Sequence, residues 1–320
     1  MGELVRVEQG GAVVVASLAA SAAGYAEAAT ALNTRNAYRS AWRTFAAWCE
    51  SQHVQALPAL ASTVAIYLAA RADSGRSVSS IQTDLAAIRK AHEVAGVASP
   101  TAEPVVRQVT KGIRRTLGVA ARRQKMPLVA GELRRMADAL PESLTGLRDR
   151  ALLLVGFAGA FRRSELVALD VADVSVGPDG LTVTLRRGKT DGQGVGRLVG
   201  LPHGSRPQSC PVRALRSWLD AAGVTEGAVF RGVTRHGRVL GRLSGLGVSR
   251  VVKAAAHRVG LDAADIGGHS LRSGFATSAA QAGTSERLIA TQTGHKSLLV
   301  LRRYIRAAGL FRENAASGLL

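Results

Sequence analysis

The stretch that decides the fold is Gly159-Ala-Phe-Arg162-Arg-Ser-Glu165-Leu-Val-Ala-Leu169-Asp170. A long apolar run over residues 151–161 leads into it, which predicts a buried helix that ends just before a partly buried Arg162. A buried guanidinium needs an anion, and Glu165 lies three residues further on. Two interpretations are open. The pair is an ion pair that only stabilises the fold, or Arg162 binds a phosphate while Glu165 holds it in place.

A second motif, His269-Ser-Leu-Arg272, stands at the start of a predicted helix. The spacing of three places His269 and Arg272 on one helix face, and a helix start favours an anion nearby. A third motif, Gly294-His295-Lys296-Ser297, precedes a short predicted helix. Taken alone, each histidine is better explained as an ordinary core or surface residue.

Tyr304 lies in that last short helix and is the one tyrosine of the C-terminal part of the chain. Arginines surround it at positions 302, 303 and 306, which is unusual for a tyrosine of a hydrophobic core. Tyr304 is therefore a candidate nucleophile.

The charge of the chain also indicates an anionic partner. The 320 residues carry 42 Lys and Arg against 23 Asp and Glu, a net charge of +19, and both halves of the chain are basic. A polyanion is the expected partner, although a protein that only coats nucleic acid would have the same composition. Two cysteines, Cys49 and Cys210, exclude a disulfide framework and a thiolate zinc site, and we expect both to be buried in a reducing compartment.

The N-terminal part has the pattern of a small helical domain. Tyr38, Trp42, Phe45 and Cys49 recur at spacings of three and four, and further helices are predicted from Ser62, over 77–96 and over 105–117. Basic residues lie on the outer face of the first helix and in a segment that has no acidic residue. The candidate DNA contacts are Arg35, Arg39, Arg43, Arg107, Lys111, Arg114, Arg115, Arg122 and Arg123. A solvated basic face would give the same pattern.

After Pro127 the pattern becomes mixed. Helices are predicted over 131–140 and 145–159, followed by a hairpin with strands at 181–185 and near 199–201 and a long glycine-rich loop. Pro211 opens another helix, and further helices are predicted over 246–259, 270–282, 285–293 and 297–304. The predicted fold is mostly α with a small antiparallel β-sheet. The apolar stretch over 12–23 is too short to cross a membrane.

Taken in order, Arg162, Lys189, His269-x-x-Arg272, His295 and Tyr304 resemble the active-site signature of the tyrosine recombinase, or phage integrase, family. The surrounding Arg-x-Ser-Glu-Leu, His-Ser-Leu-Arg and Thr-Gly-His frames match as well. Phe45-Ala-Ala-Trp48-Cys49 and Tyr304-Ile-Arg306 are similar to Cre-type members, although these carry tryptophan in place of His295. Lys189 is the loosest match, because hairpin loops tolerate changes in length.

The resemblance implies a site-specific recombinase that forms a 3′-phosphotyrosine at Tyr304 and exchanges strands through a Holliday junction. It implies that Arg162 and Arg272 bind the phosphate, Lys189 protonates the leaving oxygen, His269 and His295 assist, and Glu165 supports Arg162. No metal, ATP or other cofactor is expected. The partners would be a double-stranded DNA site and three further copies, a homotetramer with a dimer on each of two sites. We expect a cytoplasmic, nucleoid-associated protein of a bacterium or phage.

The expected organisation is a flexible segment over 1–24, a helical core-binding domain over 25–117, a basic linker over 118–130, a catalytic domain over 131–306 and a tail helix over 307–320 that docks on a neighbouring protomer. Two other classes share parts of this pattern. A type IB topoisomerase-like enzyme uses the same chemistry to relax supercoils, and a non-catalytic DNA-binding relative would carry the fold alone.

Overall fold

The structure is a computed structural model, and it describes residues 21–22, 24–25, 30–118, 125–186, 196–295 and 297–309. The chain divides into two compact units, Met1–Arg122 and Arg123–Leu320. The first 20 residues and the last 11, which include most of the predicted flexible segment and tail helix, lie outside the described residues.

The first unit is helical in its described residues, as the sequence predicts. Its helices have the following bounds: α1 Leu32–Ser51, α2 Ala61–Asp73, α3 Val78–Val94 and α4 Pro104–Leu117. The predicted apolar stripe of α1 faces inward, because Phe45 and Cys49 are almost completely buried. The Phe45 ring meets that of Tyr67 on α2 edge-on, with 5.0 Å between ring centroids. Ser77 caps α3 by accepting from the backbone N–H of Ser80.

The second unit combines helices with two small antiparallel sheets. Its helices are α5 Ala130–Asp138, α6 Leu144–Ala158, α7 Arg163–Ala168, α8 Pro211–Ala222, α9 Gly245–Arg258, α10 Ser270–Gln281, α11 Glu286–Thr293 and α12 Leu298–Gly309. Its strands are β1 Val174–Gly177, β2 Gly180–Leu185, β3 Arg197–Pro202, β4 Arg231–Val233 and β5 Val239–Arg242. One sheet has the order β1-β2-β3, and β4 pairs with β5.

The predicted helices and the β2–β3 hairpin are confirmed to within a few residues, and with them the mostly α fold class. In the hairpin register Val183 lies opposite Val199 and Leu181 opposite Leu201, and all four side chains are buried. Strands β1, β4 and β5 and the short helix α7 were not predicted. Each is only three to six residues long, too short for a periodic pattern to be distinctive.

Helix α6 is the centre of the second core, since residues 151–155 are all buried. Helix α8 packs against it and buries Trp218, whose Nε1 donates to the carbonyl of Val229 at 2.8 Å. Both cysteines, Cys49 and Cys210, are free and buried, as predicted.

The extended segment before α5 is held against the start of α10. The N–H of Met126 donates to the Asp265 carbonyl and that of Leu128 to the Ser270 carbonyl, at 2.8 and 3.0 Å. Leu128 is buried in the second core. Residues 125–129, which the sequence predicts as the end of the basic linker, therefore pack as part of the second unit.

Gly274 of α10 allows this close approach. A Cβ added there would lie 1.8 Å from the carbonyl oxygen of Leu128, which is a backbone atom. Helix α10 therefore meets the extended segment backbone to backbone at Gly274.

We predict that Gly274→Ala destabilises the second unit by about 1–3 kcal/mol or more, because the new methyl group forces two backbone segments apart. Thermal and urea unfolding measure the effect. The control is Gly131→Ala in α5, where nothing lies within 4 Å of the added Cβ. That variant is expected to gain up to about 1 kcal/mol from helix propensity. Equal stability of the two variants would contradict the close packing at Gly274.

Candidate active site

Arg162 and Glu165 form the first part of the site, at the start of α7. The backbone N–H of Arg162 donates to Glu165 Oε2 at 2.9 Å, and its guanidinium Nη1 donates to Oε1 at 2.5 Å. The Glu165 carboxylate is 2% exposed and the Arg162 side chain 19%. One carboxylate thus caps the helix and orients the guanidinium, while part of the guanidinium stays accessible.

Arg272 lies in the first turn of α10 and is almost completely buried. Its Nη1 donates to the carbonyl of Ala160 at 2.8 Å. Ala160 has a φ of 47°, a left-handed conformation that alanine rarely adopts. This strained turn before Arg162 aims a carbonyl at Arg272, so the two arginines are linked through a single loop.

His295 follows Gly294, which ends α11 in the left-handed conformation. Arg272 Nη2 donates to His295 Nε2 at 3.3 Å, and His295 Nδ1 lies 2.7 Å from the Thr293 hydroxyl. That hydroxyl donates to the Ile289 carbonyl at 2.6 Å. Because the hydroxyl proton is used there, Thr293 accepts from His295 Nδ1–H, and Nε2 is left as the acceptor.

His269 immediately precedes α10, and its Nε2 lies 2.9 Å from the Tyr304 hydroxyl. Its carbonyl accepts from the Ser273 hydroxyl at 3.1 Å, which fixes the turn. Tyr304 comes from α12, and its ring centroid lies 6.3 Å from that of His269 and 6.4 Å from that of His295. The phenol is therefore brought to both histidines and into hydrogen-bond range of one.

Burial, helped by the neighbouring arginines, disfavours the charged form of both histidines. Burial, followed by the charges of Arg272 and Arg162, lowers the pKa of His295 to about 4. The same causes in the same order lower the pKa of His269, although this residue is more exposed than His295. Burial and the neighbouring Arg162 lower the pKa of Arg272 to about 10, which leaves it charged at neutral pH. The permanent positive charge is thus held by guanidinium groups, and the imidazoles are free to take up a proton.

Sequence reasoning missed Arg197, the first residue of β3. Its Nη1 donates to the carbonyl of Gln292 at 3.0 Å, and its charge acts on Glu165, Arg162 and His295. No local signal marks it, since its partners lie 95 positions away in sequence. Thr293 belongs to the Thr-Gly-His frame noted in the sequence, but its hydrogen bond with His295 was not predicted.

Five predicted catalytic residues and the supporting Glu165 therefore converge: Arg162, His269, Arg272, His295 and Tyr304. Lys189, Arg122 and Arg123 lie outside the described residues.

The predicted DNA contacts of the first unit lie on its surface, and their role stays a prediction. Exposed side chains follow one face of α4 at Arg107, Lys111, Arg114 and Arg115. On α1, Arg39 and Arg43 are exposed and Arg35 is half-buried.

Neither a cluster of metal-ligating side chains nor a membrane-spanning helix occurs in the described part of the chain. No group of three or more His, Cys, Asp or Glu side chains there could hold a metal ion. None of the helices there has the length and apolar character needed to cross a membrane.

Comparison with known proteins identifies the family. The model of the phage integrase family matches residues 128–309. The chain is 38% identical over 294 residues to an integrase/recombinase XerD homolog of Selenomonas ruminantium, a match that covers 90% of this chain and 86% of that one. It is 33% identical over 173 residues to tyrosine recombinase XerC of Pelobacter propionicus, which covers 52% of each chain. The chain belongs to the phage integrase family and is a tyrosine-type site-specific recombinase.

Solved structures agree on the fold. A lambda integrase tetramer bound to a Holliday junction matches with a TM-score of 0.58 and 17% identity, covering 86% of this chain and 72% of that one. XerH bound to a palindromic difH substrate matches with a TM-score of 0.54 and 18% identity, covering 81% and 71%. These identities establish the fold alone. Both sequence relatives are of the Xer type, which describes the chain better than the Cre type that two short segments suggested.

We predict that His295 stays neutral until about pH 4 in the protein without DNA, because burial and neighbouring arginines disfavour its charged form. Heteronuclear NMR of histidine-labelled protein measures this titration. In the unfolded chain the pKa returns to about 6.5, so the unfolded state binds more protons between these two pH values. The stabilisation of the folded state that neutral His295 contributes is therefore present above about pH 6.5 and is lost as the pH falls toward 4. A His295 pKa at or above 6.5 would contradict the described geometry.

Proposed function

We propose that this recombinase cleaves and rejoins DNA through a covalent 3′-phosphotyrosine at Tyr304 and exchanges strands through a Holliday junction. The observation that carries the proposal is the 2.9 Å contact between His269 Nε2 and the Tyr304 hydroxyl, beside the guanidinium groups of Arg162 and Arg272. A phenol, a neutral base and fixed cations are what attack on a phosphodiester requires.

The first step is the attack. In the tautomer of His269 that carries its proton on Nδ1, Nε2 accepts the phenol proton as the Tyr304 oxygen bonds to phosphorus. The lowered pKa of His269 keeps the imidazole unprotonated and ready for this step at neutral pH. The bond from phosphorus to the 5′ oxygen breaks, which leaves a 3′-phosphotyrosine and a 5′ hydroxyl.

The second requirement is stabilisation of the negative charge that develops on the phosphorane. Arg162 and Arg272 neutralise the non-bridging oxygens with preorganised donors, and Glu165 and the Ala160 carbonyl keep the two guanidinium groups in place. The phosphate charge offsets the arginines and raises the pKa of His295, so that its Nε2 gains a proton and donates to a phosphate oxygen. Lys189 is proposed, from the family resemblance, to protonate the leaving 5′ oxygen.

Rejoining reverses these steps with a 5′ hydroxyl from a partner strand. The phosphotyrosine conserves the energy of the broken diester, so the exchange needs neither ATP nor a metal ion. The histidine that took the phenol proton returns it to Tyr304 as the strand is resealed.

Both units are proposed to bind the DNA site, and the protein is proposed to act on the nucleoid in the cytoplasm. The first unit contributes the basic face of α4 and helix α3. The second contributes α9, which exposes Arg250, Lys253 and His257 at helical spacing. XerH and lambda integrase, which share the fold, were solved on DNA, and this supports the proposal.

The synaptic complex is proposed to be a homotetramer, a dimer on each of two sites. Helix α12 ends at Gly309, and eleven residues that include Leu310, Phe311, Leu319 and Leu320 follow it. The second unit has a largely apolar cavity of about 530 Å³ between α5, α6, β3, α10 and α11. We assign this cavity to the tail of a neighbouring protomer. The solved lambda integrase tetramer on a Holliday junction supports this assembly.

We predict that Tyr304→Phe abolishes covalent DNA attachment but retains DNA binding, since only the nucleophilic oxygen is lost. A substrate nicked next to the cleavage point traps the adduct, which denaturing gels detect. Tyr38→Phe is the matched control, because it removes a phenol oxygen from α1 in the other unit. It is expected to form the adduct at the wild-type rate. A persistent adduct in Tyr304→Phe would overturn the proposal.

The wild-type protein is also tested on plasmids that carry no, one or two recombination sites. These substrates distinguish a recombinase from a topoisomerase and from a non-catalytic DNA-binding protein. Recombination products from two sites, and none from plasmids without sites, are expected. Relaxation of plasmids without sites would favour a topoisomerase, and an absent wild-type adduct would favour a non-catalytic DNA-binding protein.

A further inference from the structure

Arg197 lies beside the catalytic cluster, and nothing in the proposed chemistry uses it. It opens β3, and its Nη1 donates to the carbonyls of Gln292 and Thr291, at 3.0 and 3.5 Å. These carbonyls belong to the last turn of α11, the C-terminal end of the helix, where a cation is favourable. Arg197 therefore ties strand β3 to the end of the helix that leads into His295.

The guanidinium also packs against Gly294. A Cβ added to Gly294 would lie 2.9 Å from Arg197 Nε and 3.1 Å from Cζ. Gly294 has a φ of +64°, so glycine is favoured there by the backbone as well as by the arginine. Since His295 is the next residue, the turn that carries the imidazole is held between the end of α11 and the Arg197 side chain.

The charge of Arg197 is poorly compensated. Its Nη2 is buried and has no hydrogen-bond partner among the described residues. Burial lowers the pKa of Arg197, with Glu165 opposing and Arg162 adding to this effect. Glu165 is already bonded to Arg162, so within the described ranges no carboxylate is dedicated to Arg197. A half-buried guanidinium that has no dedicated carboxylate and one buried nitrogen without a partner adds little to stability, which favours a role in the site over a role in folding.

We propose that Arg197 is a positioning residue for strand cleavage: it fixes the Gly294–His295 turn against β3 and so sets where the His295 imidazole lies, without contacting DNA itself. The inference rests on the proposed function of Tyr304 and His295. Lysine is a poor substitute, because packing on Gly294 while donating to two carbonyls uses the planar, forked shape of guanidinium.

The test compares Arg197→Ala and Arg197→Lys with a matched control. Arg150→Ala is the control, because Arg150 also donates to backbone carbonyls around the end of a helix, those of Ala137 and Leu140, through contacts outside the catalytic cluster. Three quantities are measured for each protein: the rate of adduct formation at saturating nicked DNA, the dissociation constant for that DNA, and the His295 pKa by NMR.

Arg197→Ala is expected to slow adduct formation by about tenfold to a hundredfold, as misplacement of a catalytic group does, while the dissociation constant stays nearly unchanged. The His295 pKa should rise, because one of the charges that lower it is gone. Arg197→Lys should keep the low His295 pKa but form the adduct more slowly than the wild type. If Arg197→Ala fails to fold, Arg197→Lys provides the test. Arg150→Ala should match the wild type in all three quantities.

Three results would overturn the assignment of Arg197. They are a wild-type rate in both Arg197 variants, a loss of affinity that accounts for the whole loss of rate, or equal losses in Arg197→Ala and Arg150→Ala with an unchanged His295 pKa. Failure of the proposed function is distinguishable, because the wild-type protein would then form no adduct. In that case the His295 titration would still show whether Arg197 acts on the His295 imidazole.

Discussion

The catalytic unit is organised around one buried guanidinium, that of Arg272. Its side chain is almost completely buried, yet the nearby carboxylate of Glu165 is already bonded to Arg162. Its observed partners are a carbonyl and an imidazole nitrogen, both uncharged. Taking a cation out of water without an ion partner costs free energy, and the fold bears that cost at this position. A phosphodiester is the anion that would complete the arrangement.

Several distant features serve to hold this guanidinium. The left-handed Ala160 directs its carbonyl at Arg272, and Gly274 lets α10, which carries Arg272, approach the backbone of Leu128. Burial, followed by the charges of Arg272 and Arg162, lowers the pKa of both imidazoles. A neutral His269 is suited to accept a proton, and His295 is proposed to become a donor beside an anion. The arginines thus carry the permanent positive charge, and the histidines are the groups whose charge can change.

Sequence predicted the parts of the fold that depend on local periodicity and fixed spacing. The helices, the β2–β3 hairpin and the convergence of Arg162, Arg272 and Tyr304 were all accessible, because motifs near helix ends determine where side chains point. What sequence did not predict depends on contacts between distant segments. Arg197 reaches carbonyls some 95 residues away, and the short strands β4 and β5 form only because they pair with each other. Lys189, which lies outside the described residues, stays a prediction from resemblance.

The most direct measurement is the identity of the residue that becomes joined to DNA. Wild-type protein trapped on nicked substrate is digested with nuclease and with a protease that cleaves after glutamate, which releases residues 287–313 with Tyr304 as the only tyrosine. Tandem mass spectrometry is predicted to find a nucleotide linked through its 3′ phosphate to Tyr304, with a free 5′ hydroxyl on the opposing DNA end. A nucleotide on any other residue, or a linkage through a 5′ phosphate, would contradict the account.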